Sequence, residues 1–225
     1  MKTIFWDFDG TLVSSPHLWS GSMLAALKEA DPQSEISLQD IRRYTAVIFT
    51  WNFPEKDYRQ YTREKWWHFM NRRFYESYID LGVTSQVARR ATLLIRSIIL
   101  KSENYLLFPD TVSTLKAVRE TGVRNVILSN NIPELEDIIR NIGLHEYFDG
   151  YVVSAIEGYD KPRRELFEIA KKRFPSKKYI MVGDNPNADI KGGNAAHMET
   201  VLVHKGFCPQ ADHCFDNLED IADAL

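Results

Sequence analysis

Short apolar runs that each end in small and polar residues most constrain the fold of this chain. They are IFWDFDG at 4–10, VILSNN at 126–131, YIMVGDN at 179–185 and TVLVHKG at 200–206. Continuous apolar runs of this length are typical of buried parallel strands. Helical patterns lie between them, for instance one that follows Asp110, a predicted N-cap, and one that ends at Gly143. This alternation predicts an α/β fold with a doubly wound, Rossmann-like parallel sheet.

Residues 16–107 interrupt the alternation of strands and helices. Amphipathic patterns predict helices at 17–30, 38–50, 57–78 and 84–101, and no convincing strand. We therefore expect two domains: an α/β core, residues 1–15 and 108–225, and an inserted all-helical domain, residues 16–107. The insert holds 14 of the 27 aromatic residues, and 13 Lys or Arg against 10 Asp or Glu. Such a composition favours a lid over an anionic substrate, although any single aromatic residue is more simply explained as core.

Composition excludes several classes of partner. The net charge of −3 and the pI near 6.1 give no basic surface for nucleic acid and no basic stretch for an anionic membrane. Asp7 and Asp9 interrupt the N-terminal apolar run before it reaches the length of a secretory signal or a membrane span. The two cysteines, Cys208 and Cys214, do not resemble a disulfide framework. We expect a cytoplasmic protein.

Functional side chains are predicted at the strand ends. In a doubly wound sheet the ligand crevice lies beyond the carboxyl ends of the strands, so the residues that follow different strands meet there. Lys161 lies between the second and third runs and is available to the same edge. The residues expected to come together are Asp7, Asp9, Ser129, Asn130, Lys161, Gly183, Asp184 and Asp189.

A cluster of carboxylates restricts the chemistry of this crevice. Because the carboxylates repel one another, some must be protonated or a cation must join them. Oxygen ligands favour Mg²⁺ or Ca²⁺ over Zn²⁺, and Mg²⁺ often combines one or two carboxylates with a substrate phosphate oxygen. With Lys161 offsetting phosphate charge, one aspartate can attack phosphorus and its neighbour can exchange protons with the leaving group and water. The pattern therefore predicts phosphoryl chemistry.

Four segments in this order resemble the motifs of the haloacid dehalogenase superfamily of hydrolases. They are DFDGT at 7–11, LSN at 128–130, KP at 161–162 and GDNPNAD at 183–189. The helical insertion directly after the first motif is similar to that of superfamily members with a C1-type cap. Two positions depart from common patterns of capped members: Ser14 stands where an aspartate is frequent, and Arg164 where a proline is frequent. These departures leave the subfamily open.

The resemblance implies a role for each residue. Asp7 matches the nucleophile that forms an aspartyl-phosphate and also binds Mg²⁺, and Asp9 matches the general acid and base, whose backbone carbonyl contacts the metal. Ser129 matches the hydroxyl that holds a phosphate oxygen, helped by the backbone NH of Asn130. Lys161 matches the lysine that orients the nucleophile. Asp184 matches the metal-binding acid of the fourth motif, and Asp189 matches its second acid, which binds the metal either directly or through water. Asn185 is expected to hold their loop.

Asp9 favours phosphorus as the atom attacked, because dehalogenases that attack carbon lack this second aspartate. Magnesium-dependent hydrolysis of a small phosphorylated metabolite is therefore the expected function. A phosphomutase of the β-phosphoglucomutase type, a phosphonatase with a cap lysine (Lys28, Lys56, Lys65 or Lys101) and a non-catalytic binding protein remain alternatives. His17, Trp19 and Ser20 are the cap residues best placed to meet substrate. The chain is expected to be a monomer or a homodimer.

Overall fold

A six-stranded parallel sheet lies at the centre of the computed structural model, which describes residues 2–221. In chain order the strands are β1 (Lys2–Trp6), β2 (Val13–Ser14), β3 (Leu106–Leu107), β4 (Arg124–Ser129), β5 (Gly150–Val153), β6 (Lys178–Gly183), β7 (Glu199–Val203) and β8 (His213–Phe215). The sheet has the order β5-β4-β1-β6-β7-β8, and each neighbouring pair is parallel. This confirms the predicted parallel sheet. The short strands β5 and β8 were not anticipated from the sequence.

The described helices lie partly in residues 16–107 and partly after them. They are α1 (Leu18–Ala30), α2 (Leu38–Thr45), α3 (Glu64–Asp80), α4 (Ser85–Ile99), α5 (Thr111–Glu120), α6 (Leu135–Asn141), α7 (Ser154–Glu157), α8 (Arg164–Arg173) and α9 (Gly192–Ala195). Helices α1 to α4 lie between β2 and β3. No helix within residues 2–221 combines the length and the apolar composition needed to cross a membrane.

Two of the predicted helix boundaries in the insert are wrong. Helix α2 ends at Thr45 rather than at residue 50, because Phe49 and Thr50 are buried in an extended and a 3₁₀ conformation. Helix α3 begins at Glu64 rather than at residue 57. The backbone NH of Arg63 donates to the carbonyl of Ala155, 2.8 Å away, so this part of the segment is held against the core instead of continuing the helix.

Two further local predictions fail for reasons of long-range pairing. Leu106–Leu107 forms a short antiparallel pair with Val13–Ser14, although no strand was expected in residues 16–107. Asp110 precedes α5 but makes no side-chain cap. Its carboxylate instead accepts from the backbone NH of Leu218, 2.7 Å away, and therefore holds the C-terminal segment.

Alternating side chains of the sheet bury against helices on both faces. One face contributes to a large cluster that includes Ile4, Trp6, Ile127 and Val182 together with residues of α1, α3 and α4. The other face contributes Phe5, Val126, Leu128 and Met181, which pack with Leu166 and Phe167 of α8. Strand β1 is hydrogen-bonded to β4 on one side and to β6 on the other. The residues after these three strands therefore share the middle of one sheet edge.

Candidate active site

A crevice of about 480 Å³ lies at this edge. Asp7 directly follows β1, Ser129 is the last residue of β4 and Asp184 directly follows β6, so three chain segments meet at its floor. The backbone NH of Asp7 donates to the carbonyl of Val182, 2.9 Å away, which extends the pairing of β1 with β6 as far as Asp7. All predicted floor residues other than Gly183, namely Asp7, Asp9, Ser129, Asn130, Lys161, Asp184 and Asp189, line this crevice.

Asp7 presents one occupied and one open carboxylate oxygen. Its Oδ1 accepts hydrogen bonds from Ser129 Oγ and from Lys161 Nζ, each 2.8 Å away. Its Oδ2 receives no hydrogen bond from any residue between 2 and 221. Because two donors fix the orientation of the carboxylate, the open oxygen has a defined direction for attack on a ligand or for metal binding.

Lys161 is buried, and its ammonium group is fully used. Besides Asp7 it donates to the carbonyl of Leu128 at 2.8 Å and to Asp189 Oδ1 at 2.6 Å. Desolvation lowers the pKa of Lys161, but the charges and hydrogen bonds of Asp189 and Asp7 outweigh it and the pKa is raised. The Asn130 side chain bonds the Lys161 backbone twice, at 2.6 Å to its NH and at 3.0 Å to its carbonyl. Asn130 therefore positions the lysine.

The carboxylate of Asp9 is held from two sides. Ser15 Oγ donates to Oδ1 at 2.5 Å, and the Asn131 amide donates to Oδ2 at 2.7 Å. Burial raises the pKa of Asp9 to about 6, with a further contribution from the charge of Asp7, while the bonds from Ser15 and Asn131 act in the opposite direction. A carboxyl group with a pKa near neutrality is suited to both release and capture of a proton.

Three carboxylates form a group that fits a hard cation. One oxygen from each of Asp7, Asp184 and Asp189 lies within 4.8 Å of the others. Gly10 is required beside them: its φ is +81°, and a Cβ there would come within 2.4 Å of Asp184 Oδ2. An all-oxygen, anionic donor set with open space in front of it suits Mg²⁺. The contact predicted for Asp9 involves its backbone carbonyl and stays a prediction.

The two acids of the last motif have different surroundings. Asp184 faces the crevice, and its Oδ2 lies 3.3 Å from Lys205 Nζ. Asp189 is fully buried and accepts from Lys161 through Oδ1 and from the backbone NH of Asn185, 3.0 Å away, through Oδ2. Burial raises the pKa of both carboxyl groups. Asn185 accepts in turn from the backbone NH groups of Asn187 and Ala188, and so it holds the loop as expected.

The helical insert supplies the other wall of the crevice. His17, Trp19 and Ser20, the cap residues predicted from the sequence, line it. Arg42 and Thr45 of α2 and the aromatic residues Phe49 and Trp51 also line it. The rings of Trp19 and Phe49 are 4.5 Å apart, as are those of Phe49 and Trp51, which are nearly parallel. This wall therefore combines a flat apolar surface with a guanidinium group.

Sequence reasoning missed Ser15 and Asn131, which bond Asp9, and Phe49 and Trp51 in the crevice wall. Asn131 directly follows the Ser129-Asn130 pair, and this adjacency is the one signal that pointed to it. Ser15 lies one residue after the position compared with the family pattern. The two aromatic residues carried no separate signal, because buried aromatic residues abound in the insert.

A family model described as haloacid dehalogenase-like hydrolase matches residues 1–197 of this chain. The chain therefore belongs to the family of haloacid dehalogenase-like hydrolases.

Sequence relatives with described activities match only part of this chain. The chain is 36% identical over 119 residues to a glyceraldehyde 3-phosphate phosphatase of Methanothermobacter thermautotrophicus, which covers 51% of this chain and 52% of that protein. It is 29% identical over 145 residues to a phosphoserine phosphatase of Thermus thermophilus, covering 63% and 57%. The matched regions span about half the length of these curated relatives.

Solved structures share the fold over the whole chain. A haloacid dehalogenase-type hydrolase of Bacillus subtilis, solved with bound magnesium, superposes with a TM-score of 0.78 at 20% identity and covers 100% of this chain and 98% of its own. A 2-haloacid dehalogenase of Pseudomonas syringae superposes with a TM-score of 0.71, also at 20% identity, over 99% and 97%. At this identity the likeness concerns the fold, which phosphatases and dehalogenases share.

Proposed function

We propose that this protein hydrolyses a small-molecule phosphate monoester in a Mg²⁺-dependent reaction through an aspartyl-phosphate on Asp7. The observation that supports this proposal most directly is the arrangement of Asp7, whose Oδ1 accepts hydrogen bonds from Ser129 and Lys161 while its Oδ2 remains open. Asp9, two residues further along the chain, lines the same crevice. The phosphatase activities of the partial relatives support this reading.

The residues for the metal are those of the carboxylate group. Asp7, Asp184 and Asp189, directly or through water, and the backbone carbonyl of Asp9 would hold Mg²⁺. A bound Mg²⁺ offsets the negative charge of the phosphate and of the surrounding carboxylates. Lys161 contributes a second positive charge at the same carboxylate, with its Nζ 2.8 Å from Asp7 Oδ1.

In the first half of the reaction, Asp7 Oδ2 attacks phosphorus and forms an O–P bond. The bond from phosphorus to the leaving oxygen breaks, its electron pair stays on that oxygen, and Asp9 transfers a proton to it. The raised pKa of Asp9, about 6, supports this role because part of the population carries the proton near neutral pH. Ser129 and the backbone NH of Asn130 are expected to bond the phosphate oxygens once Asp7 has been phosphorylated.

In the second half, Asp9, now ionised, takes a proton from water as the water oxygen attacks phosphorus. The bond between Asp7 and phosphorus breaks, inorganic phosphate leaves, and the Asp7 carboxylate is restored. Ser15 and Asn131 position Asp9 for both steps. Each carboxylate oxygen of Asp9 keeps a second lone pair beside its hydrogen bond from Ser15 or Asn131, and this lone pair can carry the proton exchanged with the leaving oxygen and with water.

We propose further that residues 16–107 are a C1-type cap over residues 1–15 and 108–225. The crevice between sheet edge and α2 supports this division, as does the composition of the insert. The structure of residues 2–221 disfavours the phosphonatase alternative, because the crevice is lined by none of the four candidate cap lysines, Lys28, Lys56, Lys65 and Lys101.

Phosphate release from a panel of phosphate esters tests the proposal. The panel contains sugar phosphates, nucleotides, phosphoglycolate and an aryl phosphate, each assayed with Mg²⁺ and with a chelator. Asp7→Asn is expected to abolish release because the nucleophile is lost, while the protein still folds because Lys161 retains its ion pair with Asp189. Release that persists in Asp7→Asn, or in chelator, would refute the assignment. Absence of release from every ester would instead favour the mutase, which isomerisation of a hexose 1-phosphate would then test.

A further inference from the structure

Arg42 differs from the other cation of the crevice in having its hydrogen-bond donors free. The three N–H donors of Lys161 are used by Asp7, Asp189 and the Leu128 carbonyl. The Arg42 guanidinium, which has five donors, makes no hydrogen bond or ion pair to any residue between 2 and 221, and the side chain is exposed to the crevice. An arginine with this freedom beside a ligand crevice is available to bind an anion.

The position of Arg42 indicates which part of a ligand it meets. The residues that surround the reacting phosphate come from the sheet edge, whereas Arg42 belongs to α2 in the helical insert. Arg42 therefore lies on a different wall of the crevice from these residues, which is the side expected for a leaving group. Phe49 and Trp51 line the same crevice, and their stacked rings add an apolar surface to it.

We propose that Arg42 is a specificity-determining residue that selects phosphate monoesters whose leaving group carries a second anionic group, a carboxylate or another phosphate. This inference rests on the proposed phosphatase function and narrows its substrate class. The crevice volume of about 480 Å³ accommodates a small metabolite of this kind. An uncharged leaving group would leave the guanidinium without a partner.

A structural role for Arg42 is separable because the chain contains a matched control. Arg42 and Arg43 both lie in the last turn of α2, where a positive charge stabilises the helix end. Arg43 is also exposed but lines a different groove, between α2 and the turn that joins α3 to α4. A contribution to the helix end should therefore be shared by both residues, whereas recognition of a ligand in the crevice should belong to Arg42.

The test compares substrate pairs that differ in one anion. Phosphoserine against phosphoethanolamine tests a carboxylate, and ribulose 1,5-bisphosphate against ribulose 5-phosphate tests a second phosphate. The parent protein is expected to favour the anionic member of at least one pair. Arg42→Gln should lower kcat/KM for that member about 10- to 100-fold, and about 3-fold or less for its partner. Arg42→Lys should restore part of the loss, and Arg43→Gln should match the parent.

Three results would overturn the inference: no preference for either anionic member, an equal effect of Arg42→Gln on both members of the preferred pair, or an equal effect of Arg43→Gln. Calorimetric binding of the same pairs to Asp7→Asn, with and without Arg42→Gln, keeps the test independent of turnover. If no ester is hydrolysed, the proposed function fails. Loss of selective binding on Arg42→Gln would still support Arg42 as the anion site, and unchanged binding would refute it.

Discussion

Replacing Lys161 with methionine should destabilise the protein in a way that depends on Asp189 and on pH. The side chains of Lys161 and Asp189 are 1% and 0% exposed, and their charged atoms are 2.6 Å apart. Removal of one partner from a buried ion pair leaves the other charge without compensation, at a cost of about 3–5 kcal/mol. Folded proteins are stable by about 5–15 kcal/mol, so Lys161→Met should fold with a reduced margin.

The double variant Lys161→Met/Asp189→Asn separates the pair from its surroundings. Without a carboxylate at position 189, the methionine no longer leaves a buried charge uncompensated. We expect the double variant to be less destabilised than the sum of the single variants by about 2–3 kcal/mol, which is the coupling energy of the pair. The Leu128 carbonyl and Asp7 lose a donor in both backgrounds, so their contribution cancels in the cycle.

The pH dependence has a definite sign. Burial raises the pKa of Asp189, and loss of Lys161 removes the positive charge that opposes this shift. The folded state of Lys161→Met then retains a proton that the unfolded chain, with an aspartate pKa near about 3.9, has already released. Stability must therefore fall as pH rises. Relative to the parent protein, Lys161→Met should lower the free energy of unfolding by at least about 1 kcal/mol more at pH 8 than at pH 5. Addition of Asp189→Asn should remove this pH dependence.

Urea unfolding at pH 5 and pH 8, in chelator and monitored by tryptophan fluorescence, measures all four proteins of the cycle. Equal m-values are required for the free energies of unfolding to be compared. Additive single and double variants, or a pH-independent deficit of Lys161→Met, would show that Lys161 and Asp189 do not act as a pair.

Three other outcomes are expected. Asp9→Asn should lower kcat at least about 100-fold through loss of the general acid; near-native turnover would reassign that role. Gly10→Ala should weaken Mg²⁺ binding in calorimetry at least about 10-fold, because a residue in the left-handed conformation gains a Cβ that meets Asp184. Gly82 also has a positive φ but has nothing near the position of a Cβ, so Gly82→Ala should bind Mg²⁺ like the parent. Glu134→Gln should lower the unfolding temperature by about 3–6 °C, since Glu134 accepts hydrogen bonds from Trp67 and Arg96 of the insert. Replacement of the exposed Glu103 with Gln is the control, and equal shifts of the two unfolding temperatures would contradict a specific contact between insert and core.

The predicted site residues were found through strand ends, and the structure brings them together for that reason. Apolar runs predict where strands lie, and in a parallel sheet the residues after each strand meet at one edge. Asp7, Ser129 and Asp184 follow this rule directly. Lys161 and Asp189 do not end strands. They were included because Lys161 lies between the second and third apolar runs and Asp189 shortly follows the third, whereas their individual roles came from the resemblance.

Errors arose where local pattern competes with distant contacts. The sequence around residues 57–63 resembles a helix, but its backbone is hydrogen-bonded to the core at Ala155. Asp110 has the sequence context of an N-cap, yet its carboxylate bonds the backbone of Leu218, 108 positions away. Such contacts have no periodic signal, because the partner is set by packing rather than by neighbours in the chain.

The amino-acid sequence alone determined the alternation of strands and helices, the helical insert and the acids at the sheet edge, since these depend on local composition and on the chirality and order of a parallel sheet. Only the tertiary structure decided the contacts that the motifs did not predict. Asn131 bonds Asp9 across 122 positions, and Arg42 reaches the crevice because α2 packs over it. Hydrogen bonds of this kind act over about 3 Å, so they depend on how distant segments pack and leave no pattern along the chain.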